Sequence, residues 1–358
     1  MNNMKQIVCL VFGLLAQTSF VLAQKAPENR VIVITTDGLR WQDVFKGMDT
    51  TLAKKKAYHH GDSLAIFTKF WDNDLATRRK KLMPFLWGEL AQKGQIHGNR
   101  ALGNRVDVAN PHWFSYPGYS ELLTGQVDTA INSNEYKPNP NTNFFEYLNQ
   151  LPAYKNQVVA FGAWDAFDRI LNEKRAGFPV INGYEVYPEL NQDPKMKLIS
   201  DMLNQSFRVF GDVESQDVFI HFQAMQYLKT KKPKAMYISY GETDEFAHEG
   251  AYQHYLQAVH HFDTWLNEVW DFVESDPLYK GKTTILITTD HGRGDIIKDE
   301  WKSHGKKVQD SHEIWFAMLG VGVAPMGEVK QAAQIYQKDL IHVLSEKLQL
   351  KFKSERKE

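Results

Sequence analysis

Residues 283–294 read TTILITTDHGRG: six β-branched or apolar positions, a threonine, then an acid, an imidazole and a glycine. A run of that kind, with no polar alternation, suits a strand covered on both faces, and the charged residues fall where such a strand would end. The same form recurs at 31–41, VIVITTDGLRW, which empties into Asp37, and at 235–250, AMYISYGETDEFAHEG, which leads into Glu242, Asp244 and His248. Further apolar runs at 157–161 and 314–319 also read as strands. Between these runs, helical periodicity covers 81–93, 142–151, 196–207 and 251–273. Strands alternating with helices predict an α/β fold, a three-layer α/β/α sandwich around a mostly parallel central sheet. The Asn- and Pro-rich stretch 132–143 reads as one extended loop, and the charge runs 54–56 and 78–81 as solvated faces. The expected organisation is a single domain over 24–350 with a frayed tail over 351–358.

The 358 residues suffice for one large α/β domain. With 42 Lys and Arg against 43 Asp and Glu, no global field draws the chain to nucleic-acid polymers or anionic membranes, so any anion recognition has to be local. At the N-terminus Lys5 precedes an apolar stretch ending in Val21-Leu22-Ala23, the pattern of a signal-peptidase site. Residues 1–23 are therefore expected to be a secretory signal, which predicts a periplasmic or secreted protein with no membrane anchor after cleavage. Gln17, Thr18 and Ser19 interrupt the apolar run short of the ~20 residues that a span needs. The single cysteine, Cys9, lies in that segment, so the mature chain would bind metal only through Asp, Glu and His.

Ligands of open α/β sheets gather at the carboxyl ends of the strands, and this chain puts acids and imidazoles there. Asp37, Asp244, His248, Asp290, His291 and His312, the last within DSHEIWF at 310–316, come from separate regions and are too many for one ion. Carboxylates with imidazoles suit zinc, with manganese or magnesium as alternatives, and two adjacent divalent ions account for the set. Each residue alone has a plainer reading, since an Asp after a strand often caps the next helix and a lone His is often hydrogen-bonded filler. Their joint placement is what argues for a metal centre. The segment NPHWFSYPGYSELLTG at 110–125 puts Ser115 in a Pro- and Gly-containing turn leading into a helix, whose N-terminus favours anions. No Ser-His-Asp pattern surrounds it; activation by a cation fits the available residues, the alternative being that Ser115 merely caps the helix.

Taken in order, these residues resemble the alkaline phosphatase superfamily, whose members share a strand-end Asp, a Ser or Thr nucleophile, Asp-x-x-x-His, Asp-His-Gly and a later His. The resemblance runs from Asp37 to His312, and DGLRW and TTDHGRG are its specific strings. It implies an alkaline phosphatase-like fold and a metal-dependent hydrolase of small phosphate esters, acting as a phosphomonoesterase or phosphodiesterase. It further implies that Asp244, His248 and His312 hold one ion and Asp37, Asp290 and His291 the other, with Ser115 bridging to the second and forming a covalent phosphoserine. The string SYPGYSELLTG is most similar to the nucleophile segment of nucleotide pyrophosphatase/phosphodiesterases, with serine in place of threonine. That similarity implies an asparagine beyond the Thr-Gly that helps bind the substrate oxyanion: Asn134, with Asn132 behind it. Arg293 is expected either to give the anion a bidentate contact or to pair with Asp295 at the surface. Sulfatases share the fold, but at the position of their maturation arginine this chain has Tyr119. The remaining readings are a sulfatase-like or phosphoryl-transferring member of the superfamily and a catalytically silent exported binding protein. Trp41, Trp113, Phe114, Tyr116 and Trp164 read as core or as the lining of a pocket for a planar group.

Overall fold

The structure is a computed structural model, and it describes residues 29–59, 63–187 and 192–357. The expected signal, residues 1–23, lies outside the described residues. In chain order the strands are β1 (Arg30–Thr36), β2 (Gln95–His97), β3 (Asn104–Asp107), β4 (Val158–Gly162), β5 (Val180–Asn182), β6 (Ala235–Tyr240), β7 (Thr283–Thr288), β8 (Glu313–Ile314), β9 (Phe316–Gly320), β10 (Gly327–Glu328) and β11 (Ala333–Tyr336). The main sheet has the order β10-β2-β9-β7-β1-β6-β4-β5, and β11-β3-β8 form a small second sheet.

Alternation along the central strands sends side chains to two cores. Ile32, Ile34, Met236, Ile238, Ile285 and Ile287 enter one core, while Val31, Val33, Ala235, Tyr237 and Leu286 enter the other. The helix Tyr252–Ser275 covers the first face through Leu256, Val259, Phe262, Leu266 and Val269, a spacing of three and four residues. The helices Ser115–Thr124, Phe144–Gln150 and Gln337–Lys347 cover the second through Leu122, Leu148 and Leu344. This is the three-layer α/β/α arrangement. Burial on both faces is why the strand runs lack polar alternation. No helix among the described residues is long and apolar enough to cross a membrane.

Three expectations are corrected. The run 314–319 is not one strand. Glu313–Ile314 pairs with β3 in the small sheet, and Phe316–Gly320 pairs antiparallel with β7, because the chain returns from the end of β7 without a crossover helix. The helix expected over 81–93 is broken at Met83, whose φ of −130° lies outside the helical region, as a residue before proline is pushed. Asp263 then accepts from Phe85 N–H at 2.7 Å and Leu86 N–H at 2.8 Å, satisfying the donors that the break leaves open. Finally, the tail is docked rather than frayed. Phe352 is buried against Phe144, Glu355 O accepts from Thr142 N–H at 2.8 Å, and Pro140 O accepts from Lys357 N–H at 2.8 Å.

Candidate active site

β1, β6 and β7 lie side by side, and their carboxyl ends carry the predicted acids. The register sets Thr36 opposite Tyr240 and Thr35 opposite Thr288, so Asp37 and Asp290 emerge at the same edge. The turn after Asp37 uses Gly38 at φ +57°. A Cβ there would lie 2.8 Å from Asp244 Oδ1 and 3.1 Å from His291 Cε1, so only glycine lets the two acid groups close up. Gly38 N–H donates to Asp290 Oδ1 at 3.0 Å. Asp244 and His248 are four residues apart on the helix Glu242–His248 and therefore share a face.

Two groups of ligand-type atoms result. Around His291 Nε2 stand Asp37 Oδ1 at 3.1 Å, Asp290 Oδ2 at 3.4 Å and Ser115 Oγ at 3.4 Å. Both carboxylate oxygens are buried and accept no hydrogen bond among the described residues. His291 Nδ1 faces Gly292 O at 2.9 Å, which leaves Nε2 turned to the acids. In the second group His248 Nε2 is 2.9 Å from Asp244 Oδ2 and 3.0 Å from His304 Nε2. His304 Nε2 is in turn 3.7 Å from Asp244 Oδ1. Atoms bound at about 2.0 Å by a tetrahedral cation stand about 3.3 Å apart; ligand atoms of Asp37, Asp290 and His291, and those of Asp244, His291 and His304, cluster closely enough to surround an ion, with the exposed His248 beside the second set.

The electrostatics agree. Burial, then the charge of Asp37, pushes Asp290 well above the usual carboxylate range, and burial, then Asp244, raises Asp37. Burial alone would lower His291, but Asp290 and Asp37 outweigh it and bring it to about 9. Burial would also raise Asp244; Arg293, His304 and His248 overcome it and hold that carboxylate well below its usual range. Buried acids raised by burial and by one another are suited to a divalent cation, which would relieve their mutual repulsion.

Ser115 opens the helix Ser115–Thr124 and is buried. The helix can lie this close because Gly118 packs on the neighbouring loop: a Cβ there would be 2.4 Å from Asp290 O. The chain enters the helix through Trp113, a non-glycine residue at φ 55°, a conformation costing on the order of 1–3 kcal/mol that tends to be kept at functional sites. Asn134 Oδ1 accepts from Tyr116 N–H at 3.0 Å, which places the Asn134 side-chain amide beside the turn that carries Ser115. Tyr119 O–H donates to Asp37 Oδ2 at 3.0 Å, holding that carboxylate from the side away from His291.

Residues 211–325 match a sequence-family model described as Metalloenzyme superfamily. No curated protein sequence matches the chain. Among solved structures, a protein in the alkaline phosphatase superfamily from Vibrio parahaemolyticus superposes with TM-score 0.51 and 11% identity, over 92% of this chain and 68% of that one. The lipoteichoic acid synthase LtaP from Listeria monocytogenes gives 0.52 and 12%, over 91% and 73%. The phosphonate monoester hydrolase SpPMH from Silicibacter pomeroyi gives 0.52 and 15%, over 90% and 74%. The fold is that of the alkaline phosphatase superfamily.

Within this superfamily fold the structure brings together Asp37, Ser115, Asp244, His248, Asp290 and His291, with Asn134 alongside. It does not bring in His312. That ring packs on Trp113 at 4.9 Å, its Nδ1 faces Gln309 O at 3.0 Å, and its Nε2 is 3.8 Å from Asp107. The place expected for it is taken by His304, whose ring stacks on His291 at 4.0 Å. His304 follows a short helical turn, Lys298–Lys302, anchored by Trp301, which is fully buried and edge-on to Tyr58, Tyr252 and Tyr255. A tryptophan inside a charge-rich loop, three residues before a His-Gly pair, is the signal that pattern reading passed over. Arg293 is also corrected. It is buried, its guanidinium binds Asp244 and donates to Trp301 O at 3.4 Å, and Asp295 pairs instead with Lys298 at 2.5 Å. It is a buried counter-charge to Asp244 rather than a surface ion pair with Asp295. Of the aromatics, Trp41 and Tyr116 are core, whereas Phe114 lines a cavity beside the serine.

Proposed function

We propose that the chain is an exported two-metal hydrolase that cleaves small phosphate esters through a covalent phosphoserine at Ser115. The observation that carries this is the convergence on His291 Nε2 of the Ser115 hydroxyl at 3.4 Å and two buried carboxylate oxygens without hydrogen-bond partners among the described residues. Asp37, Asp290 and His291 with Ser115 would hold one cation, and Asp244, His248 and His304 the other. Bound there, zinc or a similar ion would neutralise phosphoryl oxygens and lower the pKa of a coordinated hydroxyl.

The chain's own contributions follow from the geometry. Ser115 Oγ forms the bond to phosphorus as the ester oxygen leaves with its alcohol, and water then releases phosphate and restores the serine. The helix that begins at Ser115 directs its positive end at the developing charge. The amide of Asn134, fixed by its bond to Tyr116 N–H, is the donor to a phosphoryl oxygen. Tyr119, hydrogen-bonded to Asp37, stands where sulfatases carry their maturation arginine, which supports the phosphate reading over the sulfatase one. Export rests on the pattern in residues 1–23; intact mass of protein recovered from the periplasm should correspond to a chain beginning at Gln24.

The test is initial rates of zinc-loaded mature protein on p-nitrophenyl phosphate, bis-p-nitrophenyl phosphate and p-nitrophenyl sulfate, beside Ser115→Ala. Turnover of a phosphate should fall about 10³-fold or more in the variant while its metal content stays. Cleavage of the sulfate alone would point to the sulfatase-like reading, and silence on all three with full metal content to a binding protein.

A further inference from the structure

A cavity of about 370 Å³ beside the reacting centre is not used by the chemistry above; Phe114, Asn132, His112, His304, Lys306 and Lys307 line it. It starts at the site itself. Phe114 directly precedes Ser115, and His304 stacks at 4.0 Å on the imidazole that neighbours the serine hydroxyl. Its outer part is cationic: Lys306 and Lys307 are both exposed, and among the described residues no carboxylate lines the cavity. Neither lysine has a salt-bridge partner among the described residues. His112 is already engaged, its Nε2 facing Thr129 O at 3.0 Å, so the lysines are the charges on offer. The cavity behind the helix Glu242–His248, about 440 Å³, has the opposite character, with Glu242 in its wall.

We propose that the Lys306–Lys307 cavity receives the group esterified to the phosphate, and that it selects esters whose alcohol carries a second anionic group, a phosphate or a carboxylate. The phosphoryl group sits at Ser115, the connecting part of the alcohol lies along Phe114, and the second anion meets Lys306 and Lys307. This inference rests on the hydrolase reading and adds the substrate class to it. The two ammonium groups are solvated, so each contributes modestly; together, in a concave wall, they give about a tenfold preference at low salt that weakens as salt is added.

The probes are 4-(phosphonooxy)phenylacetate, its methyl ester, and 4-(phosphonooxy)benzyl phosphate. The first two have phenol leaving groups of nearly equal acidity and differ in the second charge; the third replaces the carboxylate by a phosphate. The kcat/KM ratio of each anionic ester to the neutral one is read in the zinc-loaded wild type and in the double variant Lys306→Gln/Lys307→Gln. Binding of all three to Ser115→Ala is read by calorimetry. About tenfold preference in the wild type, falling toward one in the double variant, supports the proposal, and the better of the two anionic probes identifies the anion. Equal rates for charged and neutral esters, or a preference that survives the double variant, overturns it while leaving the hydrolase reading in place. Lysine-dependent binding without turnover of any ester supports the cavity assignment and overturns the hydrolase reading; neither binding nor turnover overturns both.

Discussion

His304→Ala and His312→Ala should behave oppositely, although both residues lie in the loop after the Asp-His-Gly string. His304 Nε2 is 3.0 Å from His248 Nε2 and 3.7 Å from Asp244 Oδ1, so its removal opens one corner of the second ligand group. Loss of a residue that only supports a ligand typically weakens metal binding 10–100-fold, so loss of a ligand itself should cost about 100-fold or more, or about 2.8 kcal/mol. His312 contributes a half-exposed ring packed on Trp113 and a bond to Gln309 O, worth about 1 kcal/mol of stability or less. The assay is titration of metal-stripped protein with zinc against a chromophoric chelator, followed by turnover of p-nitrophenyl phosphate at saturating zinc. His304→Ala should lose one tight site and most activity, and His312→Ala should keep both. If His312→Ala loses the ion while His304→Ala binds like wild type, the ligand assignment and the packing argument through Trp301 are wrong.

Gly118→Ala would ordinarily stabilise a helix, but its Cβ would collide with Asp290 O; a loss of about 2 kcal/mol in urea unfolding and weaker zinc binding are expected, and an unchanged midpoint would remove the close-approach argument. Asn134→Asp keeps the acceptor for Tyr116 N–H but discards the amide donor, so it should hold thermal stability and lose activity, whereas Asn134→Ala should also lose about 1 kcal/mol of stability. Burial holds His97 at about 4 in the folded chain against 6.5 unfolded. The unfolded chain binds more protons between those values, so this contribution is complete above pH 6.5 and fades as pH falls toward 4, by about 3 kcal/mol. Comparing urea midpoints at pH 7 and pH 4, His97→Phe should lose less than wild type; parallel losses would mean that His97 is not held neutral. Phe352→Ala should cost about 3 kcal/mol, and no cost would mean that the tail does not pack as described.

The strand ends were legible because they depend on local pattern. A doubly covered strand must be apolar throughout, so the residue where polarity returns marks the sheet edge, and that logic reaches Asp37, Asp244 and Asp290–His291 without knowledge of any long-range contact. His248 followed from the Asp-x-x-x-His element of the resemblance, and Ser115 from the turn that opens its helix. The break at Pro84 was equally local, but the apolar periodicity on both sides of it masked it, since Asp263 from a distant helix supplies the missing cap.

What the chain order alone determined, then, is the layered α/β fold and the acids and imidazoles at the ends of its central strands, because periodicity and strand termination are properties of adjacent residues. Tertiary structure decided which later histidine completes the second group and where Arg293 points. Between Arg293 and His312 no periodic pattern constrains the path; it is set by the burial of Trp301 among Tyr58, Tyr252 and Tyr255, which come from two other parts of the chain. That packing turns His304 inward and leaves His312 on Trp113, a choice made by contacts between residues up to 243 positions apart in the chain, from Tyr58 to Trp301.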